Sequence, residues 1–365
     1  MKLRLWIALG AACATVLVLA AAAQASFPGQ NGKIAYRDSA FAGDIWTIEP
    51  DGTGATNVTK SAASEDTPSW SADGAKIAFS TDVDKTEPCS LLAYHAPLCN
   101  AEIYIMNPDG TGQTRVTHDS GQEHNPSFSP DGSKLAVTDF TGCFSDVDIC
   151  FEYVDVIDLS GGFQPFETGL GNDFWGGFTE TGPAWSPDGA KIAFVHLDDN
   201  FTDQVYVSGV DGSNPQLVVP GQSADWSPDQ SKLLISTLGR IAEVRPDGSG
   251  LAHVTDPPAG SFDGCGVWSP DGTKIAFTRF TTGPGIPTKA EMYVANADGS
   301  APVKIGDGCV SSWQPLSGPR RSDYKNAAKF CKADRDFLGD GGFASKYGSS
   351  GNGADAFGKC VAGKG

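Results

Sequence analysis

Basic residues are scarce in this chain. Twenty-six Lys and Arg face 44 Asp and Glu over 365 residues, a net charge of −18. A surface of that sign repels nucleic-acid phosphates, and it leaves cations or a basic protein surface as partners. Histidine is thin too, with five residues scattered along the sequence, and no C-x-x-C pair occurs among the nine cysteines. The spacing of a structural zinc site is therefore missing. A G-x-S-x-G nucleophile elbow is absent. The nearest string, Gly348-Ser349-Ser350-Gly351, has the wrong spacing, and no room remains for the second domain that a serine peptidase needs. After residue 25 no run is long and apolar enough to span a bilayer.

What is there begins with an export signal. Lys2 and Arg4 precede the apolar run Leu5 to Ala23, and Ala23-Gln24-Ala25 offers a small-x-small cleavage site before Ser26. No basic stop-transfer flank follows. Cys13 is a poor lipid-attachment site, because Gly10-Ala11-Ala12 lacks the usual upstream Leu. Residues 1–25 are thus expected to be removed near Ala25, and the mature chain to be secreted or associated with the cell envelope, without a transmembrane anchor and as a monomer.

The main body is built on one recurring string. Trp185-Ser186-Pro187-Asp188-Gly189-Ala190-Lys191-Ile192-Ala193-Phe194 has copies starting at Trp70, Phe128, Trp226 and Trp268, with half-copies at Asn31–Tyr36 and Ser312–Pro315. A full copy joins an aromatic residue, a Pro-Asp-Gly turn (Ala72 replaces Pro in the Trp70 copy and Gln230 replaces Gly in the Trp226 copy) and a short apolar strand. Ala193, where a half-exposed strand would carry a polar residue, predicts a strand covered on both faces. A second β-rich run, an Asp-Gly turn and a short outer strand follow in each unit, as in Glu102–Met106, Pro108-Asp109-Gly110 and Thr114–Thr117. Four strands per unit and the six aromatic anchors Trp70, Phe128, Trp185, Trp226, Trp268 and Trp313 predict an all-β fold. The expected architecture is a six-bladed β-propeller of four-stranded antiparallel blades over residues 26–319, closed by pairing of the strand at Trp313 with that at Lys33–Tyr36. From Arg320 on, nine Lys and Arg outnumber five Asp and Glu. Residues 320–365 are predicted to form a basic, Gly-rich, partly helical tail, helix-prone over Tyr324–Ala333 with a short final turn at Ala356–Cys360.

The copies of W-S-P-D-G-x-K-I-A-F, with the D-I-Y-V-x-x-x-D-G pattern that follows them, resemble the TolB-like propeller-repeat family over residues 31–316. The resemblance implies the propeller. TolB itself carries an N-terminal α/β domain that is not expected here, so its role as a periplasmic partner of envelope proteins does not transfer as a package. The tail, through Asn326-Ala327-Ala328-Lys329-Phe330-Cys331 and Ala356-Phe357-Gly358-Lys359-Cys360, resembles cysteine-stapled appendages at the ends of exported actinobacterial proteins.

Eight cysteines remain after cleavage, an even number in an oxidising compartment. Cys89 and Cys99 lie in one insertion, Cys143 and Cys150 in the matching insertion of the next repeat. Cys265 and Cys309 hold near-equivalent places before Trp268 and Trp313, and Cys331 and Cys360 share the tail. Four local bridges are expected from this placement. The stapled insertions of blades 2 and 3 carry Leu91, Leu92, Tyr94 and Phe144, which either cover a blade edge or form a pre-ordered binding patch.

Acidic residues precede each anchor: Glu65, Asp66, Glu123 (with His124), Glu180, Asp225, Asp263 and Asp307. At the mouth of the central channel they have three roles open to them. They can cap turns and solvate the rim, offer oxygen ligands to Ca²⁺, or attract a basic segment of a partner. The chain is expected to be a non-catalytic binding or scaffold protein with no cofactor, acting on an unidentified protein or envelope component. The alternative is a metal-assisted carbohydrate-active enzyme, a lyase or hydrolase, working at the channel mouth through His124 with help from His118.

Overall fold

The computed structural model describes residues 24–39, 43–84, 101–118, 121–144, 149–170, 180–198, 200, 202–282, 287–318, 326–335 and 356–361. Six antiparallel sheets form the propeller. In chain order, from the innermost strand outward, blade 2 uses Glu65–Trp70, Ile77–Thr81, Glu102–Met106 and Thr114–Arg115. Blade 3 uses Glu123–Phe128, Lys134–Phe144, Ile149–Asp158 and Phe163–Pro165. Blade 4 runs from Glu180 to Pro220, blade 5 from Ala224 to His253 and blade 6 from Ser261 to Asp307. Blade 1 is assembled from both ends of the body: its inner strand is Cys309–Leu316, and its outer three are Gln30–Arg37, Ile45–Ile48 and Thr56–Asn57. The expected closure is therefore present. Gln24–Ala25 adds a short strand parallel to the inner strand of blade 5, opposite Asp225 and Trp226.

The repeated turn forms for a local reason. In five copies the Ser hydroxyl donates to the Asp Oδ1 two residues on, at 2.6–2.7 Å. The same Oδ1 accepts the backbone N–H two residues further, at 3.0 Å. The Lys N–H that starts the second strand donates back to the Ser Oγ. Hydrogen bonds from these Ser residues hold the carboxyls of Asp131, Asp188 and Asp229 below the ordinary range. The turn thus satisfies its own polar groups and fixes the strand register without help from the rest of the chain.

What the turn launches is buried on both faces: Ile192, Ala193, Phe194 and Val195 are all enclosed, as Ala193 predicted. All six aromatic anchors are buried as well. Two of their indoles reach a carbonyl next door. Trp226 Nε1 donates to Ala184 O at 3.2 Å, and Trp313 Nε1 to Gly32 O at 3.0 Å.

The Asp-Gly turn between the third and fourth strands has a second duty. It packs against the outer strand of the preceding blade so closely that only glycine fits. A Cβ on Gly299 would lie 1.6 Å from Val254 O, and one on Gly110 would lie 1.8 Å from Val58 O, both residues having left-handed φ. Gly132, in the first turn of blade 3, has a similar φ of 71° but open space around it.

The tail is a separate compact unit from Leu316 on. Its described residues include two short helices, α1 over residues 327–335 and α2 over Ala356–Val361. The Cys331–Cys360 disulfide joins them at the centre of a small cluster with Phe330 and Ala356. No helix among the described residues is long and apolar enough to cross a membrane.

If contact with the neighbouring blade is what requires glycine, Gly299→Ala will destabilise the propeller by about 2–4 kcal/mol, from backbone strain and overpacking together. Gly132→Ala will cost only the left-handed strain, about 1 kcal/mol. Equal losses for the two variants in denaturant titrations would remove the inter-blade role.

Candidate functional site at the ring axis

The residues before each anchor are tied to the blade behind them. Glu65 N–H donates to Gly43 O, Glu123 N–H to Ala101 O and Asp263 N–H to Gly239 O, at 2.8–2.9 Å. In four blades the residue three before the anchor then turns left-handed: Thr67 (φ 48°), Asn125 (51°), Gly182 (59°) and Cys265 (54°). The register slips there in each pairing with the second strand. Such a bulge bends the strand and re-aims its side chains. A hydroxyl of the preceding blade accepts the amide three residues before the anchor. Asn125 N–H donates to Thr67 Oγ1 at 3.2 Å, Gly182 N–H to Thr138 Oγ1 at 3.0 Å, and Val310 N–H to Thr278 Oγ1 at 2.9 Å.

The re-aimed side chains meet near the axis. Arg37 of blade 1 is buried and ion-paired with Asp66 of blade 2. It also adjoins the thiols of Cys309 and Cys265, from blades 1 and 6. Asp66 lies close enough to His124 of blade 3 to pull its pKa upward, against a larger downward push from burial. Groups from four successive blades therefore act on one another. The sulfurs of Cys265 and Cys309 are only 2.7 Å apart, both buried. The expected bridge between them is not bonded here, but the two thiols are already in contact. The hydrogen bond from Cys265 and the Arg37 guanidinium lower the pKa of Cys309.

No known protein-family model matches the chain. Solved structures share its fold. TolB from Acinetobacter baumannii superposes with a TM-score of 0.57 at 18% identity, over 80% of this chain and 67% of that one. A putative TolB from Agrobacterium tumefaciens gives 0.58 at 17% identity, over 77% and 93%. A chain of a nidogen/laminin complex gives 0.55 at 11%, over 77% and 97%. The fold is that of the TolB-like six-bladed propellers. In sequence, an uncharacterized protein of Agrobacterium fabrum is 28% identical over 166 residues, 44% of this chain and 48% of that protein. The matched stretch thus spans about half of that relative's length.

The acidic residues singled out from the sequence occupy unlike environments within this fold. Glu65 is buried, accepts hydrogen bonds from Ser61 and Thr81, and is raised in pKa chiefly by desolvation. Glu123 is buried beside it in the ring order. Asp263 holds Arg279 through two hydrogen bonds of 2.7 and 2.8 Å, and that guanidinium lies over the rings of Phe277 and Tyr293. Asp307 stands on the outermost strand of blade 6, 67% exposed at its side chain and paired with Lys304 at 2.6 Å. Asp225 sits one residue before its anchor, whereas Glu65, Glu123 and Asp263 sit five before, and it faces the next blade, accepting Trp268 N–H at 2.6 Å. Ser312 and Ser127 hold the same register and accept from Trp70 N–H at 3.1 Å and Trp185 N–H at 3.4 Å. The side chain of Glu180 lies outside the described residues. Among the described residues, no three His, Cys, Asp or Glu side chains gather as metal ligands would.

Of the stapled insertions, Cys89, Leu91, Leu92, Tyr94 and Cys99 lie outside the described residues. In blade 3 the insertion is a continuation of the hairpin, and Cys143 stands directly opposite Cys150 in register. The side chains of these two cysteines and of Phe144 are likewise outside the described residues. Sequence reading missed Arg37 and Arg279, the cations that Asp66 and Asp263 hold. A basic residue just after the apolar run of a second strand, Ile34-Ala35-Tyr36 in blade 1 and Ile275-Ala276-Phe277 in blade 6, was the available signal.

An oxidising compartment will close the Cys265–Cys309 contact into a disulfide between blades 6 and 1. Cys309→Ser is then expected to lower stability by about 2–4 kcal/mol under non-reducing conditions, with a far smaller difference from wild type in excess reductant. Peptide mapping that finds both thiols free in protein purified under air would overturn this.

Proposed function

We propose that the chain is an exported, non-catalytic propeller that binds a protein partner of the cell envelope or the medium. The observation that carries this reading is the inequality of the connections between second and third strands. In blade 5 that connection is the two-residue turn Leu238–Gly239. In blade 3 it is a hairpin extended as far as Phe144 and Ile149, with Cys143 opposite Cys150, and in blade 2 it runs over residues 82–101. Blade 6 extends the same hairpin as far as Thr282 and Pro287, but cysteine pairs occur in this connection only in the sequence of blades 2 and 3, and that favours a stiff binding patch on those two adjacent blades. Stiffening such loops lowers the entropy lost on association.

The groups near the axis support the same reading from the other side. Arg37 with Asp66, and Arg279 with Asp263, are ion pairs closed within the protein. Breaking a buried pair of this kind typically costs about 3–5 kcal/mol, which suits a structural role better than a catalytic one. The negative body, −24 over residues 26–319, favours a partner with a basic surface.

Crosslinking of the purified mature chain to envelope fractions of the producing cell tests the reading. The expected crosslinks fall in residues 85–100 and 141–150, and replacing 85–100 by a short Gly-Ser linker removes them while leaving the fold intact by circular dichroism. Turnover of acidic oligosaccharides that is lost in His124→Ala would sink the binding reading in favour of a channel-mouth enzyme.

A further inference from the structure

Asp225 is a buried carboxylate whose charge is not met. It is 1% exposed, its Oδ1 has no hydrogen-bond partner, and no Lys or Arg forms an ion pair with it among the described residues. Its Oδ2 accepts from Trp268 N–H at 2.6 Å and from the Ser26 hydroxyl at 2.8 Å. Burial pushes the carboxyl well above the ordinary range, opposed by hydrogen bonds from the Trp268 amide and from the Ser26 hydroxyl and amide. An ionised carboxylate in that setting is costly unless a cation is brought to it.

The chain segment beside it is the junction where the export signal is expected to be cut. Ser26 is 2% exposed, and its hydroxyl also lies 2.9 Å from Trp268 O. Phe27 is buried with the anchors Phe128 and Trp185 of blades 3 and 4. Gly29 N–H donates to Pro270 O at 3.1 Å, and Asn31 Oδ1 accepts from Asp271 N–H at 3.1 Å. The first residues after the junction are thus a strap threaded into the ring and held by several blades. An N-terminus starting at Ser26 is anchored there.

These two observations answer each other. The geometry points to Asp225 as the receptor of the α-ammonium group that cleavage between Ala25 and Ser26 creates, so that processing installs a buried ion pair at the junction of the strap with blades 5 and 6. This rests on the export reading above. Hydrolysis of the Ala25–Ser26 peptide bond adds one water: the carboxylate leaves with Ala25, and the amine remaining on Ser26 takes a proton. Before cleavage the same position is a neutral amide with one hydrogen, and Asp225 lacks a counter-charge. Afterwards it carries a positive charge and three donors, already within reach of the carboxylate.

The chain from Ser26 to Gly365 is prepared with a free amine and, separately, N-acetylated, each as wild type and as Asp225→Asn. The acetyl carbonyl occupies the place of the Ala25 carbonyl, and the same acetylation on Asp225→Asn controls for its bulk. The free-amine wild type is expected to have a folding constant at least about tenfold larger than the acetylated form, equivalent to an α-amino pKa raised by about one unit. That gap is expected to vanish in Asp225→Asn. Should Asp225→Asn fail to fold, the acetylation comparison on wild type decides alone. Equal stability of the two wild-type forms, or an equal gap in Asp225→Asn, overturns the pair. N-terminal sequencing of the exported protein separates the two readings. A start at a residue other than Ser26 overturns the proposal at its first step and leaves a binding propeller standing. A start at Ser26 with no effect of acetylation overturns the ion pair and leaves export standing.

Discussion

The pairing of Cys309–Leu316 with Gln30–Arg37 closes the ring. A blade is an antiparallel sheet whose inner edge is useful only if all six are held around one axis. An open ring would leave the strand at Gln30–Arg37 with an unpaired edge, a ready template for aggregation. Closure is specific as well as present. Lys33 N–H donates to Gln314 Oε1 at 3.1 Å, and Gln314 Nε2 donates onward to Gly74 O of blade 2 at 2.8 Å. One side chain thereby joins the last strand of the ring to its first two blades.

Closure alone does not make the ring rigid, because neighbouring sheets can slide. Two sets of contacts oppose sliding, at different radii. Close to the axis, the residue before an anchor accepts the amide of the next anchor, as Ser312, Ser127 and Asp225 do. Far from it, glycine turns seat directly on the preceding outer strand. Between the two lie the buried aromatic anchors, whose apolar area supplies most of the driving force but little direction. Directional contacts inside and outside a non-directional layer fix both the spacing and the tilt of the blades. The left-handed residues Thr67, Asn125 and Cys265 are tolerated in this frame: each costs something on its own, and the surrounding bonds over-determine it.

Nearly all of the fold was legible in the sequence, and less of the site. The Ser-x-Asp turn is satisfied within six residues, so its chemistry can be read from a short string wherever it recurs. Ring closure followed from the half-copies at Asn31 and Trp313, since an incomplete unit at each end makes one whole blade. Side chains near the axis are another matter. Whether Asp66 meets a cation depends on where Arg37 of another blade points, and that depends on a bulge at Thr67 that no local rule announces. In the sequence Asp225 looks equivalent to Glu65 and Asp263, because all three are acidic residues shortly before an anchor. It stands four positions closer to its own anchor than they do, which turns it from the start of the inner strand toward the next blade. Periodicity identifies blades well, and it says little about which residue of one blade faces which residue of another.

The same division explains where function can reside. A propeller of near-identical repeats has an averaged surface, and identical blades offer no means of orienting a partner. Specificity must come from departures, and the described departures are of two kinds. Those near the axis, Arg37, Asp66, His124, Cys265 and Cys309, come from blades 6, 1, 2 and 3, the blades that flank the closure. Arg37 and Cys309 come from the two ends of the body that meet in blade 1, so their contact reinforces the closure. Blades 2 and 3 each hold together through their own four strands, and their insertions lie between the second and third of these. Paired cysteines in the hairpins of two adjacent blades, where blade 5 makes the same connection with the two-residue turn Leu238–Gly239, set that part of the surface apart from the other repeats.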